Sequence, residues 1–382
     1  MRAIVTRPGA GRAWLAELPE PTLGADDEVL VEILRVGVCG TDRHVMNRDF
    51  SGGRGLPAGD DYLIVGHEAV GRVLQTGAGV RSLKAGDLVV PTVRRGCPGC
   101  PACDVGQADL CFTGNIRERG IVGLHGFLAE RIVDREPNLI PVPPELAIIG
   151  PLVESLCTPE KALRRIANAR AHLPVSGAAS RDPNRDATGQ TSGELHGVER
   201  ALVTGSGPIA LLAVMALRLR GIATWQLARQ PTDGLAADLA RRVGATYVAL
   251  NELDQSQPQA RLGAFDAIIE ATGAGEMSVL MVALLARNGV LDLVGGPSER
   301  HAVPIPASSL GGMVGKNLTV LGSVNANAAD WQAAVRDLTA IRQTFDGAAH
   351  DLITHTFKLD DVDSAFERVP GQIKAVVDVA GN

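Results

Sequence analysis

The chain has 382 residues, more than the roughly 250–300 at which a single hydrophobic core stops growing, so two domains are expected. A composition of 45% hydrophobic and 21% charged residues is that of a globular protein and excludes disorder or a collagen-like repeat. A net charge of -6 without a dense basic run speaks against a nucleic-acid partner, and the longest apolar run, 208–217, is about half of what a membrane-spanning helix needs.

From the N-terminus to about residue 142 the chain reads as short β segments broken by Gly, Pro and Asp: EVLVEILRVGV (28–38), AVGRVLQTG (69–77) and GDLVVPTV (86–93). A β-barrel-like domain fits this pattern. The beginning, MRAIVTRPGAG, lacks the apolar core of an export signal, so a cytoplasmic protein is expected. CTPEKALRRIANARA (157–171) predicts a helix with Thr158 as N-cap and Pro159 at its first position. Residues 173–197, rich in Ser, Gly, Asp and Thr, predict a long, mobile surface connection.

After residue 199, β and α segments alternate: RALVTG (200–205), PIALLAVMALRLR (208–220), ATWQLA (223–228), AADLARRV (236–243), ATYVAL (245–250), AFDAIIEAT (264–272) and GVLDLVG (289–295). Near-continuous apolar strands need cover on both faces, which predicts a doubly wound parallel sheet of the Rossmann type and an α/β fold class. LTVLGSV (318–324), a helical segment over 330–345 and KAVVDVA (374–380) follow, the last able to rejoin the first domain. The predicted organisation is a catalytic domain over 1–190, a dinucleotide-binding domain over 191–325 and a C-terminal return over 326–382.

ALVTGSGPIA sets Gly205, Gly207 and Ala210 in G-x-G-x-x-A register, with Pro208 and Ile209 opening the helix that follows a strand. Gly205 allows the tight turn, Gly207 removes a Cβ that would block a pyrophosphate, and the helix N-terminus offers unpaired N–H groups. The second strand ends in Leu-Ala-Arg229-Gln and carries no acid to repel a 2'-phosphate, so NADP is favoured, with NAD still possible. A solvated surface arginine would give the same text.

Cys97, Cys100, Cys103 and Cys111 follow one another at spacings that suit a closed tetrahedral zinc site better than two disulfides. A second metal candidate combines Cys39 in GVCGTD, His67 and Glu68 in VGHEAVG, and Glu154 in PLVES. One thiolate, one imidazole and a carboxylate would leave a coordination position open, as a catalytic zinc requires. Taken singly, each of these residues also has an ordinary structural explanation.

Together, GVCGTD, VGHEAVGRV, the four-cysteine loop and GSGPIA resemble the zinc-dependent medium-chain dehydrogenase/reductase superfamily. PTVRRGC (91–97), RERGIVGLHGFLAE (117–130), ESLCTPEKAL (154–163), EATGA (270–274) and GSVNANAADW (322–331) resemble its glucose dehydrogenase branch. The resemblance implies a GroES-like catalytic domain beside a Rossmann domain, in a homodimer or homotetramer. It implies Cys39, His67 and Glu154 as catalytic zinc ligands with Glu68 able to enter the coordination sphere, Thr41 as proton relay, and structural zinc on the four clustered cysteines. Glu118, Glu154, Thr41 and Asn325 would contact sugar, and Arg229, Thr272 and Asn325 the NADP. The chain departs from the family pattern at Val93, Ser155 and Thr158, which leaves the sugar less defined than the chemistry. A polyol or alcohol dehydrogenase of the same superfamily, and a non-catalytic NADPH-binding sensor, are the alternatives.

Overall fold

The computed structural model describes residues 1–47, 55–173, 195–296 and 302–381. Most of the connection expected over 173–197 therefore lies outside the described residues. The chain forms two compact units, one of residues 1–157, 325–342 and 349–382, the other of residues 158–324 and 343–348.

The first unit opens with strands β1 (Arg2–Thr6), β2 (Ala13–Glu17) and β3 (Glu28–Val38), followed by helix α1 (Gly40–Asn47) and strand β4 (Leu63–Ile64). Strands β5 (Glu68–Thr76), β6 (Leu88–Pro91) and β7 (Arg94–Arg95) come next, then the short helix α2 (Pro101–Asp104). Strands β8 (Arg117–Arg119), β9 (Gly123–Leu124), β10 (Arg131–Arg135) and β11 (Leu139–Val142) lead to helix α3 (Leu152–Arg170). The span 28–38 falls where its alternating apolar pattern predicts, and its inward residues Val29, Val31, Ile33 and Val36 are fully enclosed.

Helix α3 corrects the sequence expectation. It starts at Leu152, not after Thr158, and carries Pro159 in its interior. Leu152, Val153, Leu156 and Cys157 are all buried, and enclosing them outweighs the hydrogen bond that a mid-helix proline forfeits.

The second unit alternates β12 (Arg200–Thr204), α4 (Pro208–Leu219), β13 (Ala223–Ala228), α5 (Leu235–Arg242) and β14 (Thr246–Ala249). After α6 (Pro258–Leu262) come β15 (Phe265–Glu270), α7 (Gly275–Leu284), β16 (Leu285–Leu293), α8 (Ala307–Lys316) and β17 (Thr319–Gly322). All its strand pairs are parallel, in the order β14-β13-β12-β15-β16-β17. This is the doubly wound Rossmann order, reversing direction between β12 and β15.

Helix α9 (Ala328–Thr344), strand β18 (Ile353–Lys358), helix α10 (Val362–Phe366) and strand β19 (Lys374–Asp378) complete the chain. β19 pairs antiparallel with β3 and parallel with β18, extending the main sheet of the first unit to β11-β6-β5-β3-β19-β18, with β10 also on β3. No helix of the described residues is long and apolar enough to cross a membrane.

Candidate active site and metal centres

Cys39 sits between β3 and the first turn of α1, and two short bonds shape that junction. Its N–H donates to Asp42 Oδ2 at 2.8 Å, and the Thr41 N–H donates to its Sγ at 3.2 Å. The first is half of a capping box, with the third helical residue reaching back to the residue before the helix. His67 precedes β5 and turns Nε2 toward Cys39 Sγ at 3.1 Å. Its Nδ1 lies 3.2 Å from Asp42 Oδ1, off the line of a full hydrogen bond. A metal-binding imidazole needs this arrangement, one nitrogen free for the ion and the other facing a carboxylate that orients the ring.

Glu68 opens β5 opposite Gly37, and a Cβ at Gly37 would lie only 2.1 Å from Glu68 Oε2. Glycine at that position of the GVCGTD stretch is what admits the carboxylate. Lys374, the first residue of β19, donates to Glu68 Oε1 at 2.7 Å and also reaches Oε2, with both side chains almost fully enclosed. Ser155 Oγ approaches Glu68 Oε1 at 3.4 Å, so the serine that breaks the family pattern adds a polar contact there. Glu154 lies in the first turn of α3.

His67 belongs to two potential metal-binding groups, Cys39–Asp42–His67 and His67–Glu68–Glu154, each with ligand atoms within 4.8 Å of one another. Burial disfavours a charged imidazole, but the Cys39 and Asp42 charges outweigh it and hold the His67 pKa well above its usual value. Burial also works against an ionised Asp42, yet His67 and the Cys39 N–H keep its carboxyl below the ordinary range. The protein around the Glu154 carboxyl, and then the Glu68 charge, push Glu154 up to about 7. A buried centre that so favours positive charge, and offers thiolate, imidazole and carboxylate together, fits zinc.

The four clustered cysteines also meet, all four Sγ atoms lying within 4.8 Å of one another around α2, and all six cysteines of the chain are free. Cys97 Sγ and Cys111 Sγ are 3.7 Å apart. Zn–S bonds of about 2.3 Å in a tetrahedron put two sulfurs about 3.8 Å apart, so the sulfurs fit one ion. Thr113 Oγ1 contacts Cys97 Sγ at 3.1 Å and Cys111 Sγ at 3.4 Å. That hydroxyl, ahead of opposing burial, lowers the Cys111 thiol to about 6, whereas burial raises Cys103 to about 12.

Toward the expected sugar contacts, Glu118 on β8 pairs in register with Arg94 on β7. Asn325 Nδ2 donates to Glu118 Oε1 at 3.1 Å, so the structure brings these two predicted residues together. Thr41 lies next to Cys39, while Val93 is buried and apolar.

In the second unit, Gly205 turns with φ 106° and Gly207 stands immediately before α4, whose first residue is Pro208. A Cβ placed on Gly207 meets no atom within 4 Å. The open space over a helix N-terminus is a cradle for a pyrophosphate, flanked by Ile209 and Ala210. Arg229 is exposed directly after β13, and Tyr247 Oη donates to the Gln230 carbonyl at 2.9 Å to steady that turn. Thr272 follows β15, with its N–H 2.8 Å from Glu270 Oε1.

Sequence reading missed four residues that organise these sites. Asp42 lies within a motif already noted, but nothing local marks it off from an ordinary helix-start acid. Lys374 is separated from Glu68 by 306 positions and has no local signal at all. Buried Glu270 gathers the Thr272 and Gly273 N–H groups and the Thr204 hydroxyl. Gln226 donates to the Gly205 carbonyl at 2.7 Å and ties the glycine turn to β13.

Comparison with known proteins now decides the family. Residues 25–144 match the model of the alcohol dehydrogenase GroES-like domain, and residues 184–379 that of the glucose dehydrogenase C-terminus. The chain belongs to the glucose dehydrogenase family of medium-chain dehydrogenases. It is 34% identical to glucose 1-dehydrogenase of Methanocella arvoryzae and 36% identical to that of Thermoproteus tenax, covering 99% of this chain and 99% of each relative. The glucose dehydrogenase of Haloferax mediterranei, solved in complex with NADP, Zn and gluconolactone, superposes with a TM-score of 0.84 at 31% identity over 99% of both chains. The expected α/β architecture, a GroES-like domain with a Rossmann-type parallel sheet, is the observed one.

Proposed function

We propose that this protein oxidises D-glucose, and other aldoses, at C1 to the lactone while transferring hydride to NADP+, with NAD+ as a weaker acceptor. The observation that carries the reading is the contact between half-buried Cys39 and buried His67, backed by Asp42 and flanked by Glu68 and Glu154, in a member of the glucose dehydrogenase family. In this reading Cys39, His67 and Glu154 would hold the catalytic zinc, with Glu68 placed to join them, and Cys97, Cys100, Cys103 and Cys111 would hold a structural zinc. Zinc bound at the catalytic position supplies a Lewis acid that lowers the pKa of an oxygen brought to it.

The chain's own residues do the rest. Thr41 takes the proton of the anomeric hydroxyl on its own hydroxyl and passes it outward, while Glu118, Glu154 and Asn325 orient the ring through its hydroxyls. As the C1–H bond breaks, its electron pair goes to the nicotinamide, C1–O becomes the lactone carbonyl, and one proton is released. Gly205, Gly207, Pro208, Ile209 and Ala210 cradle the pyrophosphate, Arg229 forks onto the 2'-phosphate, and Thr272 and Asn325 contact the nicotinamide half. Unit 1 is then the catalytic domain and unit 2 the cofactor domain. Val93 brings no hydrogen bond to the sugar, so fewer polar contacts police its hydroxyls, which favours a broader aldose range.

Free cysteines throughout suit a reducing, cytoplasmic location. A homodimer is supported by β17, the outermost strand of its sheet, which exposes Val320, with Val324 exposed just after it and Ile305, Leu310 and Val314 exposed in and before α8. Val320→Lys should convert the dimer to monomer in sedimentation; a wild type already monomeric overturns this assembly.

The deciding experiment measures initial rates of NADP+ and NAD+ reduction with glucose, galactose, xylose, sorbitol and simple alcohols. Glucose should lead, with NADP+ ahead of NAD+. Activity on polyols or alcohols alone discards the sugar assignment and keeps the zinc, whereas silence on every substrate favours a cofactor-binding sensor.

A further inference from the structure

Arg94 is absent from the roles assigned above, yet it makes the closest contact to Glu118. The two stand opposite each other on β7 and β8, their side chains 10% and 14% exposed. A guanidinium normally spreads two donors over the two oxygens of a carboxylate. Here both nitrogens face one oxygen: Nε donates to Glu118 Oε1 at 2.9 Å, and Nη2 makes an ion-pair contact with the same atom at 2.8 Å. Asn325 Nδ2 adds a second hydrogen bond to the same atom at 3.1 Å. Among the described residues no hydrogen bond reaches Glu118 Oε2. Asn325 is itself held for this task, in the left-handed region at φ 56° with its Oδ1 accepting the Ala326 N–H at 2.8 Å.

We propose that Arg94 is the positioning residue of the substrate site: by saturating Oε1 it aims Glu118 Oε2, as a pure acceptor, at one hydroxyl of the sugar. The inference rests on the sugar reading of Glu118 given above. An ionised carboxylate oxygen accepts and cannot donate, so Oε2 selects a hydroxyl that points its proton at a defined place. A sugar lacking that hydroxyl, or carrying it on the other face, leaves a largely enclosed carboxylate oxygen without a partner, which is the expensive mismatch. Because neighbouring Val93 is apolar and buried, that selection falls on Glu118 and Asn325.

The test uses the full-length, zinc-loaded enzyme with glucose and its singly deoxygenated analogues. Arg94→Gln should raise the KM for glucose by about tenfold or more, the scale of one lost charge-assisted hydrogen bond, with NADP+ KM and zinc content unchanged. For the one deoxy analogue that lacks the selected hydroxyl, wild type and variant should have equal kcat/KM, and Arg94→Lys should recover part of the glucose loss. An unchanged glucose KM overturns the proposal, as does an equal loss on every analogue, which would mark a structural role. If Arg94→Gln fails to fold, Glu118→Gln must show the same analogue dependence or the proposal falls. A wild type that oxidises no aldose overturns the sugar reading, and the proposal with it; that failure is visible before any variant is made.

Discussion

Asp42 serves two of the residues around the candidate catalytic metal at once. One oxygen accepts the Cys39 N–H and the other faces His67 Nδ1, so a single buried carboxylate orients both the thiolate and the imidazole. Residues that hold metal ligands in this way typically contribute 10–100-fold in metal affinity. Asp42→Ala is therefore expected to release one zinc per chain at chelator concentrations the wild type resists, leaving the four-cysteine zinc in place. Metal analysis after dialysis reads this directly, and two retained ions would count against it. Glu68 and Lys374 form the other buried dependency. Each alone would be an enclosed, uncompensated charge, and losing one partner of such a pair costs about 3–5 kcal/mol. The pair's worth lies in fixing a carboxylate in place beside the metal ligands. Of these residues, Cys39, His67, Glu68 and Glu154 were legible because each stands in a recognisable short pattern. Lys374 was not, since a lysine opening a C-terminal strand looks the same whether or not a carboxylate awaits it across the sheet.

At the scale of elements, the loop around α2 gathers four thiols whose proton affinities differ widely. Zinc requires all four as thiolates, so protons compete with it. Cys103, at about 12 without metal, carries a proton throughout the physiological range, and its displacement costs affinity about tenfold for each pH unit downward. Cys111, at about 6, is ionised at neutral pH and begins to compete only below that value. The stability zinc supplies thus falls as pH falls through the neutral range, more steeply below about 6. Cys103→Ser should lower the melting temperature by several degrees or more and flatten its dependence on zinc and pH, since a structural zinc can bring on the order of 10 kcal/mol of binding free energy. An unchanged melting curve, read by calorimetry across pH, refutes the structural role. The start of α3 teaches a different lesson. Local signals, an N-cap threonine and a following proline, point to a helix beginning near residue 158, but the helix begins at Leu152 because the apolar residues ahead of Thr158 have a core to enter. Capping preferences are worth about 1 kcal/mol, less than the burial of two large aliphatic side chains.

For the molecule as a whole, the order of the Rossmann sheet follows from alternation of apolar strands with helices, and the glycine turn falls at the carboxyl end of β12, where the strand order reverses. That much was written in the sequence alone: two kinds of domain, a dinucleotide turn, a cysteine cluster and a scattered set of metal-ligand types. Periodicity and close spacing are local properties, and local text is enough to specify them. Only the tertiary structure decided that Asp42 stands behind His67, that Lys374 returns on β19 to meet Glu68, and that Arg94 and Asn325 both press on one oxygen of Glu118. These contacts join residues from 24 to 306 positions apart, and their geometry is set by sheet register and side-chain burial. Neither leaves a trace in the spacing of residues along the chain, because a charged side chain is spelled the same way wherever the fold sends it.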